Sequence, residues 1–220
     1  MGDVKRISKC YFCDEEFNKI SCLKHLDKCE KRHKYYETKE NKKNYFTIKI
    51  EGDKDYYLYV DISKKAKLEE LDFFLRNIWL ECCGHMSVFN IYGDNYSSYP
   101  DSDFDDSDMN FQVGKILKVG DVFSYEYDFG STTELKLSVI SEFSGKEKEK
   151  IELAIRNIKP IYTCSCGEAA TNICGYCYDV VCEKCISNHS CGDEAMLDIV
   201  NSPRTGVCAY EDETSEDYKH

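Results

Sequence analysis

Residues 46–62 read FTIKIEGDKDYYLYVDI. FTIKIEG and YYLYVDI each alternate apolar and polar side chains with period two, and the charged turn GDKD separates them, so the stretch predicts a β-hairpin. Working outward, KLEELDFFLRNIWLECCG (67–84) places Leu68, Leu71, Leu75, Ile78 and Trp79 on one helical face, closed by Gly84. HMSVFNIYG (85–93), VGDVFSYEYDFG (119–130) and TELKLSVISEF (133–143) read as further strands, the last alternating Leu135, Leu137 and Val139. After a turn at Ser144-Gly145, IELAIRN alternates Ile151, Leu153 and Ile155. The order strand–strand–helix–strands predicts an α+β domain, with a mainly antiparallel sheet and one main helix packed on one of its faces.

Hydrophobic residues make up 42% of the 220 positions, enough for a core of ordinary size. The opening MGDVKRISKC has no apolar run, and the richest apolar stretch, FFLRNIWL, is interrupted by Arg76 and Asn77. The chain therefore reads as soluble and cytoplasmic, with no membrane partner. Its formal net charge of −12 is unevenly placed: residues 1–50 carry 13 Lys+Arg against 8 Asp+Glu, whereas the rest carries 16 against 33. An acidic body repels phosphate, so any nucleic-acid contact is expected through residues 1–44.

Residues 164–191, CSCGEAATNICGYCYDVVCEKCISNHSC, pack seven cysteines and one histidine into 28 positions. Reducing compartments disfavour disulfides and shift such clusters toward metal. Cysteine pairs two residues apart reach one ion from a tight turn, and eight soft or borderline ligands make two closed tetrahedral zinc sites. Zinc-coupled folding supplies the stability that so small and polar a segment lacks. Near the N-terminus, Cys10-x2-Cys13-x11-His25-x3-Cys29 makes a third ligand set.

The N-terminal spacing is similar to the C2H2 zinc finger, with Cys29 in place of the final His and with Phe17 and Leu23 at the two apolar positions of its minimal core. A lone finger covers only about 3 base pairs, which favours protein contacts over specific DNA reading. The C-terminal cluster resembles the B-box zinc finger, in C-x-CGEAATNICGYCYDVVCEKCISNH. That resemblance implies interleaved ligands and a protein-interaction role: Cys164, Cys166, Cys182 and Cys185 on one ion, and Cys174, Cys177, His189 and Cys191 on the other. Pairing in sequence is the alternative, with Cys164, Cys166, Cys174 and Cys177 on one ion. The last ligand is Cys191 where the family has a distant His, and Cys208 is a possible substitute, although a small buried thiol is its expected role. Residues 45–160 resemble the plasmid pRiA4b ORF-3-like family, through the leading hairpin, the Trp-bearing helix and Tyr125-Glu126-Tyr127-Asp128-Phe129-Gly130. Many of its members continue the motif with Asp, Trp and His where this chain has Ser131, Thr133 and Leu135.

Other signals read as structural. The DFG at 128–130 lacks every other protein-kinase element and predicts a turn, with Gly130 at positive φ and Asp128 bonding local amides. PDSDFDDSD (100–108) lacks the glycine and glutamate of a calcium loop and predicts a solvated acidic loop. Cys82-Cys83 with His85 could hold a metal, but they sit at a helix end with no second close pair, and the two cysteines read as buried thiols packing the core. Cys22 reads as core and His33 as solvated. The tail YEDETSEDYKH is acidic and polar.

The expected organisation is a C2HC finger (1–34), a charged linker (35–44), the α+β domain (45–160), a B-box-like double-zinc module (161–195) and a C-terminal segment with an acidic tail (196–220). No nucleophile–base grouping and no phosphate loop appears. The expected function is therefore non-enzymatic protein interaction or regulation by a protein holding three zinc ions. One alternative is a nucleic-acid-associated regulator using the basic N-terminal arm. Another is an enzyme using the surface near Tyr125–Gly130.

Overall fold

The computed structural model describes residues 6–53, 55–101 and 106–211. Residues 102–105 of the acidic stretch 100–108, and the tail from 212 onward, lie outside the described residues. The chain opens with β1 (Ile7–Cys10) and β2 (Glu16–Asn18), then α1 (Cys22–Lys28) and α2 (Glu30–Tyr35). The quoted hairpin is β3 (Tyr45–Glu51) and β4 (Tyr57–Ser63), followed by α3 (Leu68–Leu75). Next come β5 (Ser87–Ile91), β6 (Asp94–Ser97), the short α4 (Val113–Ile116), β7 (Val122–Tyr127), β8 (Thr133–Phe143) and β9 (Ile151–Asn157). These strands form one antiparallel sheet in the order β2-β1-β9-β4-β3-β8-β7-β5-β6. A smaller sheet holds β10 (Asn172–Cys174), β11 (Val180–Val181) and β12 (Met196–Asp198), beside α5 (Glu183–Ile186). The molecule is thus α+β, a large antiparallel sheet with few helices. Among the described residues no helix is long and apolar enough to cross a membrane.

Hairpin register follows from alternation: Tyr45 faces Ser63 and Glu51 faces Tyr57, so Phe46, Ile48 and Ile50 share a face with Leu58, Val60 and Ile62. That face packs on α3 through Leu68, Leu71 and Leu75, all fully buried. Each such side chain contributes about 1.5–3 kcal/mol by leaving water. The helix stops being regular sooner than its pattern suggests. Residues Arg76–Leu80 form a π-helical turn, and the consecutive Ile78, Trp79 and Leu80 are all buried. The wider turn brings three successive side chains inward, which regular 3.6-residue spacing does not allow. Between β5 and β6, Tyr92 and Gly93 both take positive φ (58° and 95°), as a two-residue hairpin loop with right-handed strand twist requires.

The sheet is not half-solvated, as simple alternation suggests. All seven residues of β4 are buried. Tyr57 and Tyr59, on the face away from α3, pack against Cys22, Leu26 and Cys29 of the N-terminal segment, with Ala154 and Ile155 of β9. β1 itself pairs with β9, setting Ser8 opposite Asn157 and Cys10 opposite Ile155. The N-terminal segment therefore extends the sheet and covers its second face.

The C-terminal residues 199–210 run back over the core as a strap. Arg156 donates to the Asn201 carbonyl at 2.5 Å, Asn157 Nδ2 donates to Asn201 Oδ1 at 2.7 Å, and Ser202 Oγ donates to the Trp79 carbonyl at 2.6 Å. Arg204, fully buried, donates to Asp128 Oδ2 at 2.5 Å and to Thr133 Oγ1 at 3.0 Å.

Candidate metal centres

All fourteen cysteines are free thiols. Thirteen of them, all but Cys22, fall with three histidines into four groups of four whose ligand atoms lie within 4.8 Å of one another.

The first group is Cys10, Cys13, His25 and Cys29. Cys10 ends β1 and Cys13 lies in the β1–β2 turn; His25 sits on α1 and Cys29 immediately follows it. Cys10 Sγ lies 3.9 Å from Cys29 Sγ, and Cys13 Sγ lies 3.4 Å from His25 Nε2. His25 Nδ1 faces Glu15 Oε2 at 3.7 Å, and its ring stacks on Phe17 at 4.3 Å. Phe17 thus serves the expected apolar role, but Leu23 does not: it is exposed, and Leu26 is buried in its place. With Cys22 opening α1, the face toward the sheet runs Cys22–Leu26 at i, i+4, and Leu23 falls outside it. Cys22 is buried, 3.2 Å from Ser8 Oγ, and His33 is exposed.

The second group is Cys164, Cys166, Cys182 and Cys185; the third is Cys174, Cys177, His189 and Cys191. The grouping is interleaved, not sequential. β10 and β11 carry the chain between the groups, and α5 presents Cys185 one turn after its capping Cys182. Cys166 Sγ lies 3.5 Å from Cys182 Sγ, and Cys177 Sγ lies 3.4 Å from His189 Nε2.

One local geometry recurs in these knuckles. The residue directly after the second cysteine takes the left-handed conformation: Asp14 (φ 64°), Gly167 (φ 94°) and Tyr178 (φ 61°). That residue turns the chain so that backbone amides face the first cysteine, and its own amide closes the loop on that cysteine's carbonyl: Asp14 on Cys10, Gly167 on Cys164 and Tyr178 on Cys174. Backbone amides of Cys166 and Cys182 hold the Cys164 thiol down to about 6, and that of Cys177 holds Cys174 down to about 6. A lowered thiol supplies the thiolate that binds metal. At buried Cys10 desolvation outweighs the backbone amides of Cys13 and Phe12, and the thiol is raised.

The fourth group completes with a distant ligand the three residues that alone lacked a second close pair. Cys82, Cys83 and His85 meet Cys208, whose position lies 125 residues beyond Cys83. The expectation that Cys82 and Cys83 pack into the core fails for Cys83, which is exposed, while Cys82 is half-buried; Cys208 is also exposed, not a buried thiol. The chain leaves the π-helical turn at Glu81 and turns outward, carrying these thiols to the surface. The signal in the sequence is the Cys-Cys-Gly-His run itself; the structure adds that Gly84, directly after the second cysteine, takes φ 70°. The predicted turn at 128–130 also differs in detail. Asp128 takes the positive φ (64°), not Gly130, and its Oδ1 accepts the amides of Gly130 and Ser131.

Each group offers four donors, all thiol sulfur around Cys164 and three thiols with one imidazole in the others, in the number and spacing that tetrahedral zinc takes. No family model matches the chain, and no curated protein does. Among solved structures, it is similar to a protein of unknown function, MM3350, from Methanosarcina mazei Go1, at 14% identity and a TM-score of 0.43, over 51% of this chain and 67% of that one.

Proposed function

We propose that this is a non-catalytic zinc protein that presents rigid surfaces to a protein partner in a reducing compartment such as the cytoplasm. The observation that carries this reading is coordinative saturation. Every group supplies four Cys or His donors, which leaves a bound zinc no open position for water or substrate. The ions would then hold structure together. The interleaved C-terminal groups favour a B-box-like module, and Tyr125–Gly130 favours a pRiA4b ORF-3-like core. Tyr176 and Tyr178 stand exposed on the knuckle around Cys177. Tyrosines of this kind add rigid contact area with a polar tip, and are enriched at protein interfaces. The experiment pairs elemental analysis with partner capture from native cells. Native protein is expected to carry zinc at whole-number stoichiometry. Replacing Tyr176 and Tyr178 together by Ser is expected to remove the captured partner at unchanged zinc content. Zinc-free protein with paired cysteines overturns the reading.

A second reading, an anionic nucleic-acid partner, draws on a hollow of about 610 Å³ whose lining includes Lys42, Lys43, Lys64, Lys65, Lys115 and Lys146. Lys64 and Lys65 are partly neutralised by Glu142 and Glu147 at 2.6 and 2.8 Å. Its test is RNA or DNA binding that weakens steeply with salt and is lost on replacing Lys42 and Lys43 by Glu. Absence of binding at low salt removes this reading.

A further inference from the structure

We propose that Cys82, Cys83, His85 and Cys208 form a fourth zinc site, a clasp that fastens the C-terminal strap to the end of the α3 segment. The inference rests on the zinc reading of the other three groups and extends it to one that joins distant parts of the chain.

Three independent features of the geometry point to a ligand. The first is spacing. Cys83 Sγ lies 4.0 Å from Cys208 Sγ, and Cys208 Sγ lies 3.8 Å from His85 Nε2. Two sulfurs each ~2.3 Å from a tetrahedral zinc stand about 3.8 Å apart, so the four side chains already surround a volume of that size. The same sulfur separation is far beyond a disulfide bond.

The second is orientation. His85 turns Nε2 toward the thiols, while Nδ1 faces Asp128 Oδ1 at 3.6 Å. Zinc-bound imidazoles are commonly aligned by a carboxylate on the opposite ring nitrogen. Asp128 is itself fixed by Arg204, four residues before Cys208 on the strap.

The third is local support. Gly84 repeats the left-handed turn that follows the second cysteine in the other knuckles. Its amide donates to Glu81 Oε1, and Tyr127 Oη accepts the amides of Cys82 (3.5 Å) and His85 (3.3 Å). Nothing in a pair of ordinary surface thiols requires so constrained a loop. Tyr127 and Asp128 of the Y-x-Y-D-F-G motif thereby gain a purpose: one holds the Cys82–His85 loop, and the other faces its histidine and binds the strap.

The test uses the full chain with its native metal. Elemental analysis is expected to give four zincs per chain, falling to three in His85→Ala and in Cys208→Ser. Differential alkylation of the wild type needs no variant: Cys83 and Cys208, although exposed, are expected to resist iodoacetamide until a chelator is added. Three zincs with Cys83 and Cys208 freely alkylated overturns the clasp and leaves the other three sites standing. Zinc-free protein overturns both readings. A Cys83–Cys208 disulfide in the natively isolated protein overturns the clasp alone.

Discussion

Arg32 of α2 and Asp61 of β4 form a buried two-pronged ion pair: Nε donates to Oδ2 at 2.7 Å and Nη2 to Oδ1 at 2.8 Å. Thr47 Oγ1 donates to Asp61 Oδ1 at 2.9 Å, and the guanidinium lies over the Phe143 ring at 4.5 Å. This buried pair is one of the polar contacts that key the N-terminal segment to the sheet, beside Ser8 Oγ on Tyr57 Oη at 2.7 Å. Arg32→Ala leaves the fully buried Asp61 carboxyl without its cation, so a loss of about 3–5 kcal/mol is expected. Denaturant unfolding measures it. A loss below about 1 kcal/mol, the value of a surface pair, contradicts the keying role.

Glu70 caps α3. Its Oε2 accepts the Lys67 amide at 2.9 Å, and its Oε1 accepts Lys150 Nζ at 2.7 Å. Partial burial pushes the carboxyl up, but Lys150 and the Lys67 amide outweigh it, and the net shift is below the ordinary 4.5. A depressed carboxyl stabilises the fold above its unfolded value, and that contribution disappears as pH falls through the folded value. Glu70→Gln is expected to cost about 0.5–1 kcal/mol at neutral pH and nothing further in acid. Stability profiles of the two proteins should therefore converge below pH ~4. Parallel profiles across that range count against the cap.

Gly52, in the β3–β4 turn, lies against the strap. A Cβ there would stand 2.4 Å from Pro203 Cβ and 2.7 Å from its Cγ. Gly52→Ala is expected to lift the strap at a cost of about 1–3 kcal/mol, with faster amide exchange over residues 199–210. Unchanged exchange there would show that the strap is not packed on this turn.

Interleaving in the C-terminal module gives His189 a specific set of companions. His189→Ala is expected to release one ion and expose Cys174, Cys177 and Cys191 to alkylation. Cys164, Cys166, Cys182 and Cys185 should stay protected. Labelling of Cys182 and Cys185 instead would mean that the ligands pair in sequence.

The amino-acid sequence by itself determined what short-range periodicity and spacing carry. Alternation in residues 46–62 specifies a hairpin, because a one-residue slip would send Phe46, Ile48 and Ile50 to the wrong face. The stripe Leu68, Leu71, Leu75 specifies a helix and its buried side. Cys10 to Cys29 and Cys164 to Cys191 are legible because ligands a few residues apart reach one point from a single turn or helix end. The tertiary structure alone decided which distant pieces meet. β1 lies beside β9, and the second sheet face is covered by Cys22 and Leu26, because Tyr57, Tyr59 and Asp61 on that face need apolar and cationic partners that only folding brings near. No local pattern marks Leu26 over Leu23; the sheet selects it. The fourth ligand group is the extreme case. Cys208 stands 125 positions from Cys83, and it reaches His85 only because Arg204 finds Asp128 and Ser202 finds the Trp79 carbonyl, which lays the strap across the core.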